Sequence, residues 1–372
     1  MSLPKSIGLP RMTLETNEKR VFLPDFIQKM ADFDLHVVLE DGYGSRSGFD
    51  RADFRQGNSL ISFGSRQDAF DQDIVLILRS PDEDFNRMKP GTILISMLHY
   101  PTRPTRIALF KKLGLKTISL DSIVNDNDIR LVENMKAVAW NGLEVAFDVL
   151  EEHWPDLQRP DAKPIQTLVL GTGMVGKHAV DAAVHLGNIE RNNLYLTKIF
   201  PGMVCRAVGR NLTQNSQAMI NLLKDTDILI DATQRHQPSE PVIPNAWIQH
   251  MPKHAILVDL SVDPYLPNAH PPVVRGIEGI PRGNLDKFIF HPGDPDWEET
   301  ITQGVPSQYR RTTVTCYSWP GFHPEACMVH YAQQLAPILP VLFEIGYDDL
   351  NLKGGYFERA LYRATLKMWK DN

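Results

Sequence analysis

The amino-acid sequence predicts an α/β protein of two domains with parallel sheets, joined by two long helices around a cleft. Its 372 residues suffice for two domains that each bury a core of their own. Short apolar runs alternate with helical stretches in two separate blocks, a pattern typical of βαβ units. The second block opens with LVLGTGMVGKHAVDAA (168–183), whose glycine spacing is that of a Rossmann nucleotide-binding turn. We therefore expect both domains to be Rossmann-like.

The first block contains apolar runs that are short enough to be buried parallel strands. They are LHVVLE (35–40), DIVLILR (73–79), GTILISML (91–98) and LKTISL (115–120). Around them, LPDFIQKMADF and RIALFKKLG have the apolar spacing of helices. The alternation predicts a mostly parallel sheet in this block.

The second block lies between two long helical stretches. The first is predicted over 131–154 and the second over 325–346, where Pro337 and Pro340 are expected to kink it. Between them, strands are predicted at IQTLVLG, DILIDAT (227–233) and AILVDLS (255–261).

The positions of these helices also suggest the domain boundaries. We place the dinucleotide-binding domain at 135–305 and a substrate domain at 1–134 and 306–372. The C-terminal segment is thus expected to return to the first domain.

The composition narrows the functional classes. The formal charge is −6 and the isoelectric point about 6.1, which disfavours nucleic acid as a partner. Cys205, Cys316 and Cys327 are few and far apart, so neither a disulfide framework nor a zinc site is expected. The polar N-terminus lacks the apolar core of a signal peptide, and no run has the roughly 18 apolar residues that cross a bilayer. We therefore expect a cytoplasmic protein without a metal site or membrane contact.

The glycine-rich turn predicts a bound dinucleotide. Gly171 would permit the tight turn, Gly173 would let the backbone approach a pyrophosphate, and Gly176 would let helix and strand pack closely. Met174 and Val175, between the last two glycines, are assigned to the same cofactor site.

No acidic residue follows at the strand end where one usually binds the adenine ribose. If the second strand is MVCRAVGRN, Gly209 and Arg210 occupy that position, and Arg210 can pair with a 2′-phosphate. If the strand is LYLTK, Thr197 and Lys198 occupy it instead. Both alternatives lack an acid and offer a cation, which favours NADP(H) over NAD(H).

Several motifs in order carry a resemblance to a known family. They are IGLPRMTLETNEKRVFLPDFIQKM, LEDGYGSRSGFDRADF, ISMLHY, LVLGTGMVG and ILVDLSVDP. In this order they resemble the alanine dehydrogenase and pyridine-nucleotide transhydrogenase α-subunit family, with features similar to saccharopine dehydrogenases. The resemblance covers roughly residues 6 to 345.

The resemblance implies roles for individual residues. Arg20 would anchor a substrate carboxylate, for which the planar guanidinium is suited. His99 would be the catalytic acid–base group. Asp263 would face the ribose or the water at the nicotinamide, while Asp259 fits a buried, hydrogen-bonded acid.

Two positions depart from the family pattern. Arg79 stands where alanine dehydrogenases carry a lysine; it either binds substrate or lies at a strand end in solvent. Ser318, assigned to the cofactor site, and Trp319 replace part of an Asn-Met-Pro segment. Trp319 would stack on a ligand or pack under the second long helix. Arg79 admits a larger or more acidic substrate than alanine.

The predicted function is that of an NAD(P)-dependent oxidoreductase acting on the CH–NH bond of an amino acid or an amino-acid-derived imine. Its partner would be a small amino acid or keto acid, and family members suggest a homo-oligomer. Two alternatives stay open: a transhydrogenase-like nucleotide-binding subunit, and a redox-silent regulatory or binding protein of the same fold.

Overall fold

A computed structural model describes residues 3–13, 18–159, 161–235, 237–261 and 263–369. The contacts within the chain divide it into two compact units. Unit 1 comprises Met1–Asn134 and Pro324–Asn372, and unit 2 comprises Met135–His323. Each unit has its own sheet with helices packed against it, so the prediction of two Rossmann-like domains with parallel sheets is confirmed.

The strands of unit 1 come first along the chain. They are β1 (Ser6–Leu9), β2 (His36–Glu40), β3 (Ile61–Gly64), β4 (Ile74–Arg79), β5 (Ile93–Met97) and β6 (Lys116–Ser119). The strands of unit 2 are β7 (Ile165–Leu170), β8 (Met203–Val208), β9 (Ile228–Asp231), β10 (Ile256–Asp259), β11 (Ile289–Phe290) and β12 (Thr312–Thr315).

The helices follow the same division. Unit 1 contains α1 (Pro24–Ala31), α2 (Arg51–Arg55), α3 (Arg66–Phe70) and α4 (Pro104–Leu113). Unit 2 contains α5 (Met135–His153), α6 (Met174–Val184), α7 (Ile189–Lys198), α8 (Arg210–Thr213), α9 (Ser216–Leu223) and α10 (Asn245–Ile248). The chain then returns to unit 1 with α11 (Pro324–Leu335), α12 (Leu339–Ile345) and α13 (Tyr356–Arg363).

The sheet of unit 1 has the strand order β3-β2-β1-β4-β5-β6, and all of its pairings are parallel. The chain order reverses at β1 and β4, which makes the carboxyl ends of these two strands the topological switch point. Residues 74–78 of β4 are all buried, as the apolar run predicts for a central parallel strand.

The sheet of unit 2 has the order β11-β12-β10-β9-β7-β8. Its pairings are parallel except that of β11 with β12. Here the switch point lies at β7 and β9, so the glycine-rich turn after β7 stands where α/β sheets bind ligands. The short strands β11 and β12 were not predicted because their residues lack a long apolar run.

One predicted boundary differs from the observed division. The sequence placed 306–323 with the first block, whereas these residues lie in unit 2. The reason is β12, which pairs in parallel with β10 and so joins the second sheet. The partner strand lies more than fifty residues earlier, and local sequence periodicity carries no information about it.

The second long helix is broken, as its prolines predict. α11 and α12 are inclined by 43° to each other, with Pro337 in the break and Pro340 in the first turn of α12. In the described part of the chain, no single helix has both the length and the hydropathy to cross a membrane. Among the described residues, this bent pair alone passes that test, and by length and composition only.

Candidate functional site

The carboxyl edge of the unit 1 sheet gathers the residues predicted to bind substrate. Arg79 ends β4 and is paired in register with Met97, the last residue of β5, and His99 follows two residues later. Arg20 lies in the loop that follows β1, the other neighbour of β4. The three predicted residues therefore follow the carboxyl ends of three adjacent strands, β1, β4 and β5.

His99 is held by a carboxylate that the sequence analysis missed. The backbone N–H of His99 donates to Asp121 Oδ1 over 3.1 Å, and His99 Nδ1 lies 3.4 Å from Asp121 Oδ2. The Ser119 hydroxyl donates to Oδ1 over 2.7 Å. The imidazole remains half exposed, so one ring nitrogen is oriented while the ring stays accessible. Asp121 directly follows the predicted strand LKTISL, and this position after a strand is the sequence feature that could have identified it.

The pKa of Asp121 reflects this pairing. Burial alone would raise it, but the hydrogen bonds and charge of His99, with the Ser119 hydroxyl, hold the pKa of Asp121 well below its usual range. Asp121 therefore stays ionised beside the imidazole of His99.

Arg20 and Arg79 both influence the hydroxyl group of Tyr331. Arg20 is buried, with 2% of its surface exposed, and Arg79 is partly buried rather than in open solvent. Burial and nearby Cys327 raise the pKa of the Tyr331 hydroxyl, while the charges of Arg20 and Arg79 oppose that rise. The charges of Arg20, Arg79 and Glu133 therefore all reach the Tyr331 hydroxyl.

A second buried acid, Glu18, lies in the loop after β1 that also contains Arg20. Glu18 is 3% exposed, has a left-handed backbone with φ of 43°, and pairs with Arg11 Nε over 2.8 Å. Burial raises the pKa of Glu18 to about 7; Arg11 counteracts the rise and Glu40 adds to it. Glu18 stands two residues before Arg20, which was the only signal for it. Neighbouring residues 14–17 are outside the described part of the chain.

The glycine-rich turn of unit 2 has the geometry that its spacing predicts. Gly171 has φ of +94°, and a Cβ there would lie 2.7 Å from the Ala232 carbonyl oxygen. A Cβ on Gly176 would lie 2.2 Å from the Gly171 carbonyl oxygen. Gly173, directly before α6, has φ of −69°, and a Cβ there would meet no atom within 4 Å. Protein packing therefore explains two of the glycines but not Gly173.

The residues of this turn fit the pyrophosphate of a dinucleotide. The N–H groups at the start of α6 point out of the helix, and Gly173 leaves open space in front of them. Met174 is 54% exposed beside that space, and Val175 packs against the core of unit 2. A ligand that approaches the backbone would account for a residue without a side chain at position 173.

The structure decides between the two possible second strands. β8 is Met203–Val208, so Gly209 and Arg210 follow its carboxyl end. Thr197 and Lys198 lie in α7, and the assignment of LYLTK to a strand is wrong. Arg210 is exposed and has no carboxylate at ion-pair distance among the described residues. Residues 209–213, which follow β8, include no acid.

Asp263 pairs with an arginine that the sequence analysis did not single out. Arg235 Nε and Nη2 both donate to Asp263 Oδ2, over 3.1 and 2.7 Å. Arg235 also donates to the carbonyl oxygens of Pro238, Glu240 and Val274, so its side chain is firmly fixed. The Asp263 side chain is 34% exposed, and within the described ranges its Oδ1 has no hydrogen-bond partner. Both Arg235 hydrogen bonds thus go to one of the two carboxylate oxygens of Asp263.

Asp259 is the buried, hydrogen-bonded acid that its position suggested. It is 1% exposed, accepts hydrogen bonds from Ser261 and Thr315, and forms an ion pair with buried Arg275. Asp231, at the end of β9, is also buried; burial and Asp263 raise its pKa, and hydrogen bonds from Thr233 oppose that rise. Both acids accept hydrogen bonds from Ser261, which follows β10.

Trp319 packs against protein rather than a ligand. It is 1% exposed, donates from Nε1 to the Asp259 carbonyl oxygen over 2.9 Å, and lies against Gly142 of α5. Both sequence alternatives for Trp319 are therefore wrong: it packs under the first long helix, not the second. Ser318 precedes it in the segment after β12, and its backbone N–H donates to Cys316 Sγ.

Among the described residues, no three side chains of histidine, cysteine, aspartate or glutamate cluster as metal ligands.

The fold and its glycine-rich turn define a protein of two Rossmann-like α/β units. The chain belongs to the alanine dehydrogenase/PNT family: residues 8–139 match the N-terminal domain of that family and residues 158–264 match its C-terminal domain. The family predicted from the sequence motifs is confirmed.

Individual relatives are distant. Alanine dehydrogenase of Bacillus subtilis (strain 168) is 23% identical over 276 residues, which cover 69% of this chain and 70% of that protein. NAD(P) transhydrogenase subunit alpha of Haemophilus influenzae is 25% identical over 195 residues, covering 50% of this chain and 37% of that subunit.

Solved structures are similar over nearly the whole chain. An L-alanine dehydrogenase superposes with a TM-score of 0.69 at 19% identity, covering 97% of this chain and 94% of that one. A transhydrogenase from Sinorhizobium meliloti superposes with a TM-score of 0.58 at 15% identity, covering 97% of both chains. At these identities the likeness shows the fold alone.

Proposed function

We propose that the protein is a pyridine-nucleotide-dependent oxidoreductase that acts on the CH–NH bond of an amino acid or of the corresponding imine. The observation that carries the proposal is the grouping of Arg20, Arg79 and the His99–Asp121 pair at the carboxyl edge of one sheet. Kinship with alanine dehydrogenases supports an amino acid as the substrate class.

The unit 1 residues match what this reaction demands. Oxidation of an amino acid takes a hydride from Cα and protons from the amine and from water, and the substrate carboxylate must be held meanwhile. Arg20 and Arg79 hold the carboxylate, since guanidinium groups pair with it bidentately. His99 accepts and returns the proton, and ionised Asp121 stabilises the imidazolium that forms.

The unit 2 residues bind the cofactor in this proposal. A bound nicotinamide dinucleotide supplies the hydride acceptor or donor. The N-terminus of α6 and the backbone at Gly173 hold its pyrophosphate. Arg210, with no acid beside it at the end of β8, pairs with a 2′-phosphate, so NADP(H) is preferred. Ser318, Met174 and Val175 line the same cofactor.

Asp263 acts through its second oxygen. Arg235 fixes Oδ2, and Oδ1 accepts a hydrogen bond from a ribose hydroxyl or from the water that hydrolyses the imine. Arg235 thus sets the orientation in which the Asp263 carboxylate meets the ribose hydroxyl or the water.

Nicotinamide fluorescence tests the proposal first. NADPH and NADH are titrated into the wild-type protein and into Arg210→Ala, followed by a screen of amino acids and keto acids for nicotinamide oxidation or reduction. Tight NADPH binding, a preference that depends on Arg210, and turnover lost in His99→Ala are expected. The absence of binding by either nucleotide at millimolar concentration would overturn the proposal.

A transhydrogenase-like subunit is the second candidate, favoured by kinship with the α subunits. Such a protein binds nucleotides but does not oxidise amino acids. Nucleotide binding without turnover on any amino or keto acid, and unchanged in Arg20→Ala, would favour it over the dehydrogenase.

A further inference from the structure

Tyr331 is a buried tyrosine of unit 1 to which the proposed chemistry gives no role. Only 7% of its surface is exposed. It lies on the inner face of α11, which is buried in the core of unit 1 and comprises Cys327, Met328, Tyr331 and Leu335. Positions 327, 331 and 335 are four residues apart, so their side chains lie one above the other along the helix. The ring of Tyr331 is thus held by packing.

The hydroxyl group at the end of this ring has no hydrogen-bond partner among the described residues. Buried tyrosine hydroxyls usually have one, because water no longer supplies it. Tyr347, which is also buried in unit 1, donates to the Thr117 carbonyl oxygen over 3.4 Å. A ligand that brings an acceptor would satisfy the hydroxyl of Tyr331 in the same way.

The charges that reach this hydroxyl include both arginines of the proposed carboxylate site. Arg20 and Arg79 lower the pKa of Tyr331, whereas burial, Cys327 and Glu133 raise it. Interactions between charges fade over about 10 Å in salt solution, so these side chains lie close to the end of the Tyr331 ring. The arginines that follow β1 and β4 therefore have a third polar side chain near them, contributed by α11.

Hydrogen bonds and packing fix α11 in this place. Its first turn lines a cavity together with the two chain neighbours of Arg20. Near its other end, His330 Nε2 lies 2.8 Å from the Glu133 carbonyl oxygen, and the Gln334 side chain accepts from the Glu133 N–H over 3.1 Å. The helix is thus attached to the loop that contains Arg20 and to the segment that contains Glu133, with Tyr331 between the two contacts.

A tyrosine hydroxyl in these surroundings is a hydrogen-bond donor. Because burial holds the pKa of Tyr331 above its usual value, the hydroxyl stays protonated at neutral and moderately alkaline pH. A carboxylate has two oxygens with about four acceptor positions, which two guanidinium groups and one hydroxyl can share.

We propose that Tyr331 is a further substrate-binding residue, whose hydroxyl donates a hydrogen bond to the carboxylate that Arg20 and Arg79 hold. The inference rests on the proposed function. α11 thereby supplies a third donor, beside the two that follow β1 and β4. Loss of this donor weakens the binding of an amino acid or keto acid and leaves the chemical step almost unchanged, because the hydroxyl contacts the carboxylate rather than the reacting carbon.

The test removes the hydroxyl and keeps the ring. Wild type and Tyr331→Phe are compared with Tyr347→Phe, the matched control, which removes the hydroxyl of another buried tyrosine of unit 1. KM and kcat are measured for the keto acid that has the lowest KM in the substrate screen. Pyruvate binding is measured by calorimetry with NADP+ or NAD+ present, and chemical unfolding gives the stability of each protein.

Tyr331→Phe should raise KM about tenfold, the size of one charge-assisted hydrogen bond, and change kcat by less than about threefold. Its free energy of unfolding should stay unchanged, because no described residue loses a partner. Tyr347→Phe should leave KM unchanged and lower the stability, since Thr117 loses its donor. An unchanged KM in Tyr331→Phe, an equal rise in Tyr347→Phe, or an equal loss of stability in both variants would overturn the inference.

Pyruvate binding separates this inference from the proposed function. If no amino or keto acid is turned over but pyruvate binding weakens about tenfold in Tyr331→Phe and not in Tyr347→Phe, the proposed activity fails and the third carboxylate donor stands. If turnover occurs and KM is unchanged in Tyr331→Phe, the activity stands and the inference fails. If the wild type neither turns over a keto acid nor binds pyruvate at millimolar concentration, both fail.

Discussion

Alanine substitutions at Gly173 and Gly176 should separate nucleotide binding from folding. A Cβ on Gly173 meets no atom within 4 Å, and its φ of −69° is open to any L-residue. A Cβ on Gly176 lies 2.2 Å from the carbonyl oxygen of Gly171, a backbone atom that cannot move aside cheaply. The two substitutions add the same methyl group in opposite surroundings.

The magnitudes follow from these contacts. Alanine at Gly173 costs about 0.5–1 kcal/mol as a poorer helix cap and returns about 0.4–1 kcal/mol by restricting the unfolded chain. The free energy of unfolding should therefore change by less than about 1 kcal/mol. Alanine at Gly176 gains about 1 kcal/mol of helix propensity but loses more to overpacking against rigid backbone. A net loss of about 1–2 kcal/mol is expected.

Two assays measure the two effects. Chemical unfolding gives the free energy, and NADPH fluorescence titration gives the affinity. Gly173→Ala should weaken NADPH binding about tenfold or more while the protein stays stable, because the methyl group occupies the space that a pyrophosphate enters. Unchanged NADPH affinity in Gly173→Ala, or a loss of stability as large as that of Gly176→Ala, would refute the reasoning.

Three further substitutions test the sites. Arg210→Ala should reduce the preference for NADPH over NADH about tenfold in fluorescence titrations, and an unchanged ratio would contradict the assignment. Asp121→Asn should lower kcat about tenfold or more, because the imidazolium of His99 loses its counter-charge. The folded-state pKa of Asp121 lies below its unfolded value. The ionised carboxylate therefore adds stability above about pH 4, and this stability is lost as the pH falls further. Asp121→Asn should abolish this pH dependence in unfolding curves. Arg235→Gln should lower kcat more than nucleotide affinity, because Asp263 loses its orientation; the reverse pattern would assign Arg235 to cofactor binding.

Much of the fold could be predicted from the sequence because it is encoded locally. Buried parallel strands such as β4 and β10 appear as short apolar runs, and the break between α11 and α12 follows from Pro337. The glycine-rich turn likewise follows from spacing alone, since the tight turn, the close packing and the open approach each need a particular glycine.

The candidate sites could be predicted only in part. Arg20, Arg79 and His99 were predicted because each follows a predicted strand or matches a family motif, and their roles stay predictions. Asp121 and Arg235 were missed, although they hold His99 and Asp263. Asp121 is 22 residues from His99 and Arg235 is 28 from Asp263, so neither pair has a local periodic signature.

The sequence by itself determined the class of fold, the nucleotide-binding turn and the family, because these depend on residue type at short, fixed spacing along the chain. Only the tertiary structure decided that β8 ends at Val208, that β12 joins the second sheet, and that Trp319 packs under α5. Each of these depends on contacts between residues far apart in the chain. Such contacts are selected by the packing of the whole unit, in which many local patterns compete for the same buried surface.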